Sequence, residues 1–225
     1  MTRVTAVNGS PSRGVQPRTL MTRTTLLFAA LTSALIVLPG CGAATPEVAE
    51  IEVDRLAPTT LYPMIEGAQW VYDVDTGGNE PPTLGIFEVV EAIGDDRQIA
   101  NNRGMNSHGV VSHGDPIGYH VEPDGIRHTA SGTWLLHAPI DVGATWEAMG
   151  GRTARVTDIE ASVEVIAGNY EHCVVVVETG GEDGRTVTTT YCPQVGPVLI
   201  ESTMETVMTL REVATRARLR SYDPG

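Results

Sequence analysis

Beyond residue 60, short apolar or alternating runs recur about every ten positions between glycine- and proline-based breakers, and this rhythm limits the possible folds more than any other feature. The runs are Trp70–Asp75, Leu84–Ala92, Gly118–Val121, Gly125–Thr129, Thr133–His137, Arg155–Ile166, His172–Glu178, Arg185–Tyr191, Val198–Glu201 and Thr206–Leu219. Gly77-Gly78, Gly94-Asp95, Pro123-Asp124-Gly125, Gly150-Gly151 and Gly180-Gly181 separate them. Runs this short with turn chemistry between them predict an all-β domain over residues 61–225, an antiparallel meander that curves into a half-barrel or open barrel. Room for one helix exists only at Glu205–Leu219. The Val, Thr and Met content of that stretch favours a single long strand instead.

One pattern occurs twice. Pro63-Met64-Ile65-Glu66-Gly67-Ala68-Gln69-Trp70 and Pro139-Ile140-Asp141-Val142-Gly143-Ala144-Thr145-Trp146 place Pro, Gly, Ala and Trp at the same spacing. Proline fixes φ, glycine permits a positive φ, and the following Trp can anchor a new strand in the core. The pattern predicts a repeated corner that opens a strand. Similarity stops after the Trp, so the pattern by itself does not decide for or against a duplicated domain.

These corners, with Tyr62-Pro63 before the first and Tyr191-Cys192-Pro193-Gln194-Val195-Gly196-Pro197-Val198 near the end, give the chain a resemblance to a broad group of uncharacterised bacterial lipoproteins and secreted β-domains. The resemblance implies shape alone: a strongly curved sheet similar to the half-barrel of lipoprotein carriers. Gln194 stands where that group commonly has glycine, which implies an altered turn before Val195. No catalytic residue comes with the resemblance.

The N-terminal part carries a different signal. Arg23 follows Met21, then comes the thirteen-residue apolar run Leu26–Leu38, then Leu38-Pro39-Gly40-Cys41. The run is too short to cross a bilayer, which takes about 20 apolar residues. Basic start, apolar centre and small residue before cysteine make an export tag. The last four residues resemble the lipobox of bacterial lipoprotein precursors, with Pro39 where small or β-branched residues are usual. The resemblance implies diacylglycerol on the Cys41 sulfur and cleavage before it. On this reading residues 1–40 are the signal, with Met21 as the expected start. Residues 41–60, rich in Ala, Thr and Glu, form a lipidated N-terminus and flexible tether of about 25 Å end-to-end distance. Gly42 lacks the Asp associated with inner-membrane retention, so the expected location is the cell envelope, on an outer membrane where the source has one.

All 28 acidic residues follow Gly40, against 11 of the 15 basic ones, every one of them Arg, so the mature chain carries a net charge of −17. Phosphate backbones and anionic lipid surfaces repel such a chain, so nucleic acid is not an expected partner and membrane attachment falls to Cys41.

Cys173 and Cys192 remain after lipidation, in an oxidising compartment that favours a disulfide between them. A four-residue Gly181–Gly184 loop would set them directly opposite on a hairpin. An Asp183-Gly184 turn would offset them by two residues, beyond bridging distance.

Other chemical signals are weak. His108, His113, His120, His128 and His137 are spaced unlike any common zinc signature, and the acidic turn Asp73–Glu80 lacks the distal Glu of a calcium loop. No metal or cofactor is expected. No nucleophile elbow, paired-histidine helix or phosphate loop is present, so an enzyme is not expected. Three functions remain. The leading one is a binding module holding an apolar small molecule on a concave face lined by Trp70, Trp134, Leu135 and Trp146. The second is an envelope assembly partner in which those residues are core. The third is an enzyme with an unfamiliar site, which a pocket of strongly perturbed ionisable groups would support.

Overall fold

The computed structural model describes residues 54–77, 81–103, 112–206 and 211–225. Its elements are α1 (Pro58–Leu61), β1 (Gln69–Asp75), β2 (Thr83–Ile93), β3 (Asp96–Arg103), β4 (Ser112–His113), β5 (Ile117–Glu122), β6 (Gly125–His128), β7 (Trp134–His137), β8 (Thr145–Glu147), β9 (Thr153–Val165), β10 (Gly168–Thr179), β11 (Arg185–Cys192), β12 (Gly196–Thr206) and β13 (Arg211–Asp223). Twelve strands form one antiparallel sheet in the order β7-β6-β5-β3-β2-β1-β13-β12-β11-β10-β9-β8, with β4 beside β3. Most chain neighbours are thus sheet neighbours, β5 pairs with β3 past the short β4, the first and last strands pair, and the sheet curls until its two edges, the consecutive strands β7 and β8, approach each other. The all-β expectation holds, as a nearly closed barrel with one short helix.

Pleating turns alternate residues inward. Tyr72, Val89, Ile126, Leu136, Val156, Val174, Val176 and Leu219 fill this inner face and are wholly buried. Where β1 begins and β13 ends, the turns β2–β3, β5–β6 and β11–β12 gather at one end. Here α1 touches both β6 and β12. Those strands lie half-way round the sheet from each other, so an element reaching both lies across the end of the barrel and closes it. Pro58 starts this turn of helix, Leu61 is wholly buried, and Gln194 N–H donates to the Thr60 carbonyl at 2.7 Å.

The two sequence corners are equivalent in space. Gly67 and Gly143 have φ of 85° and 92°. Each donates its N–H to a valine carbonyl, of Val89 and of Val156, at 2.9 and 2.8 Å, and each following alanine carbonyl accepts that valine's N–H. Strands β1 and β8, which they open, stand half-way round the sheet from one another.

Three expectations change. Glu205–Leu219 is not one strand: β12 ends at Thr206, and β13 starts at Arg211 and pairs back along it. Strand β3 had no apolar run to announce it, because among its residues only Ile99 and Ala100 are apolar and buried. The tether does not extend to residue 60, since α1 belongs to the barrel and Arg55 ties the residues before it to the β9–β10 hairpin, bonding the Ile159 carbonyl at 3.0 Å and the Glu160 carboxylate. That hairpin packs Ile159, Ala161, Val163 and Val165 on the core. Its tip is held by Ala167 N–H on the Leu219 carbonyl at 3.0 Å, beside the bulge where the β1–β13 register shifts.

Cys173 and Cys192 are bonded. Val174 pairs with Tyr191, and Gly184 N–H closes on the Gly181 carbonyl at 3.1 Å, which is the register of the four-residue loop.

Candidate ligand cavity

Inward positions on many strands leave a cavity of about 200 Å³ inside the barrel. Tyr62, next to α1, borders it together with Tyr72, Phe87, Tyr119 and Tyr191, and Ile99, Val187, Thr189, Pro197 and Ile200 supply the wall between these rings. Tyr62 and Tyr191 are buried, whereas the lining residues Ile117 and Met149 are 39% and 45% exposed. Ile117 starts β5 and Met149 follows β8, both at the end away from α1. The cavity is therefore floored at the helix end and opens at the other.

Two charged side chains share this mostly apolar wall. Glu178, on β10, pairs across the sheet with Ala154 and Val187, so it faces inward with them. Arg152, just before β9, donates from Nε to Glu178 Oε2 at 2.9 Å, and the two side chains are only 11% and 12% exposed. A second carboxylate, Asp183, stands 3.7 Å from Arg152 but is largely in solvent. Pairing is what makes two buried charges tolerable, since either alone would lose its hydration uncompensated.

The ionisable neighbours respond to burial and to this pair. Burial pushes the Tyr119 hydroxyl up to about 12, with the Glu178 carboxylate adding to the shift. Tyr191 is raised by burial and then by Glu178, and Tyr62 and Tyr72 chiefly by burial. These hydroxyls stay protonated as donors; that of Tyr72 bonds the Pro197 carbonyl at 2.6 Å. His128, whose ring lies 4.7 Å from that of Tyr119, is lowered by burial and then by the Arg152 charge, so it is neutral at pH 7.

Of the four residues expected to line a pocket, Trp134 and Leu135 border the cavity and Trp70 and Trp146 do not. Trp70 is core: its Nε1 donates to the Val195 carbonyl at 2.6 Å, and its ring stacks on Tyr222 at 5.4 Å. Trp146 is buried opposite Ala154. The Trp134 ring lies close over Gly125, where a Cβ would fall 2.5 Å from it, with the Arg127 guanidinium 3.9 Å from its centre. It is thus committed to packing on β6. Arg152, Glu178 and the tyrosines were not anticipated as a group.

The histidines are dispersed: His120 bonds Asp96 at 2.8 Å, His172 bonds Glu160 at 2.6 Å, His137 packs on Trp134, and His128 lines the cavity. No cluster of three metal-ligating side chains occurs among the described residues. In the acidic turn, Asp73 is held by Arg220, and Asp75 accepts from Gly77 N–H at 2.8 Å. Cys41 and His108 lie outside the described residues.

No protein-family profile and no curated protein matches this sequence. Two solved structures resemble the barrel. One, a "putative exported protein with YmcC-like fold" from Bacteroides fragilis, aligns at TM-score 0.50 and 11% identity over 71% of this chain and 96% of its own. The other, a "putative lipoprotein" from Parabacteroides distasonis, aligns at TM-score 0.44 and 15% identity over 73% of this chain and 98% of its own. At such identity the likeness is one of fold: the chain has the barrel architecture of the Bacteroides fragilis protein.

Proposed function

We propose that the chain is an exported lipoprotein, held to the cell envelope by a lipid on Cys41, whose barrel receives a small and mainly apolar ligand. The cavity carries this reading. It is closed at the α1 end by Tyr62, walled by aromatic rings and open at the opposite end, and its volume of about 200 Å³ exceeds the roughly 150 Å³ at which an apolar protein cavity admits benzene. Anchoring follows from the lipobox-like segment, and the resemblance to a protein described as exported accords with it.

Binding is tested with toluene and benzamide by saturation-transfer NMR on the folded domain. The parent gives saturable transfer, and Val187→Trp, which fills the wall, abolishes it while leaving the fold intact. Equal transfer in both proteins contradicts the reading. Anchoring is tested separately by fatty-acid labelling, which Cys41→Ala eliminates and which, if unchanged, removes the lipoprotein assignment.

A further inference from the structure

We infer that the cavity selects an uncharged aromatic molecule whose head group both donates and accepts hydrogen bonds, as a carboxamide does, and seats that head against the Arg152–Glu178 pair. The inference rests on the binding function proposed above and specifies its ligand class.

Size sets the first limit: beyond one ring, a cavity of about 200 Å³ leaves room for a small substituent and none for a long acyl chain. The wall sets the second. Tyr72 and Phe87 meet edge to face at 5.6 Å, and Tyr119 lines the same space, an environment that favours another aromatic ring.

Charge sets the third. Among the described lining residues Arg152 and Glu178 alone carry formal charges, and they cancel at 2.9 Å; His128 is neutral. An anionic or cationic head would therefore lose its hydration without meeting net opposite charge, which is costly in a mostly apolar site. A neutral head escapes that penalty and still finds partners. Glu178 retains acceptor sites beyond the one Arg152 Nε occupies, and Arg152 retains donors beyond the one given to Glu178. Both charges are felt inside the cavity, that of Glu178 at Tyr119 and Tyr191 and that of Arg152 at His128.

Benzamide, benzoate and benzamidine have nearly the same shape and carry heads of charge zero, minus one and plus one, so their dissociation constants against the parent, measured by NMR titration at pH 7, read the selection directly. Benzamide is expected to bind about tenfold or more tightly than either ion. Glu178→Gln should move the preference toward benzoate, and Arg152→Gln toward benzamidine. Each variant has its own direction, so one that folds is sufficient. An ion binding as tightly as benzamide, or an order unchanged in the variants, overturns the inference. Toluene binding with none of the three heads accepted overturns it too while the cavity reading stands. Absence of toluene binding removes both.

Discussion

Arg152 Nε and Glu178 Oε2 meet at 2.9 Å on the inner wall of the barrel, an ion pair built into a surface otherwise made of rings and aliphatic groups. The pair adds a polar feature to the cavity at the expense of desolvating two charges. Glu178→Ala leaves Arg152 nearly buried with only the solvent-exposed Asp183 nearby. Loss of one partner of a fully buried pair costs about 3–5 kcal/mol, and partial exposure with Asp183 at hand should bring this below 3. Replacing both, as Arg152→Met with Glu178→Leu, should return stability to within about 1 kcal/mol of the parent. Urea unfolding of the single and double variants checks the contrast.

Acid should loosen the join between the first and last strands. Arg220 grips Asp73 through two hydrogen bonds, at 2.6 and 2.9 Å. This holds the Asp73 carboxyl below its ordinary value of 3.8. A carboxyl with a lowered folded-state value stabilises the fold above the ordinary value, and that contribution fades as pH falls through the lowered one. Stability measured from pH 5 downward should therefore drop less steeply in Asp73→Asn than in the parent. Parallel curves would show that this pair contributes nothing across that range.

Gln194 sits at φ 64°, in the left-handed region, in the turn that receives α1. A non-glycine residue there costs about 1–2 kcal/mol, part of which glycine gives back through a more flexible unfolded chain. Gln194→Gly should raise stability by about 0.5–1 kcal/mol, read from the urea midpoint, since the N–H bond to Thr60 survives the change.

The architecture was legible because inward and outward residues alternate and glycines mark the turns; the twin corners at Gly67 and Gly143 were legible for the same reason. Strand β3 was hidden, as Asp96-Arg97-Gln98-Ile99-Ala100-Asn101-Asn102-Arg103 is polar along most of its length. The break between β12 and β13 was hidden too, because the sequence there lacks glycine, proline and asparagine. The cavity was harder still. Val174-Val175-Val176-Val177 shows no alternation, so nothing local says that Glu178 points inward. Its partner Arg152 reaches it only through the pairing of β9 with β10. Trp70 and Trp146 were misleading because strand-opening tryptophans here serve the packed wall and not the open space.

Alkylation of the unreduced, exported domain should leave Cys173 and Cys192 unlabelled, because they are bonded across 19 residues of sequence. In the chain-entropy picture, removing the bridge with Cys173→Ala and Cys192→Ala should cost about 3 kcal/mol, and less if the hairpin persists in the unfolded chain. Two reactive thiols in the folded exported protein would contradict the bond.

Titration of methyl-labelled protein with toluene shows whether the barrel interior is a binding space, because the interior and exterior each carry reporters. Ile99, Ile117, Val187 and Ile200 line the cavity, whereas Ile65, Ile93 and Val142 are exposed at the α1 end. Saturable shifts are expected at the first group, with the second unmoved. Shifts confined to Ile65, Ile93 and Val142, or none at saturating toluene, would show that the barrel interior takes no such ligand.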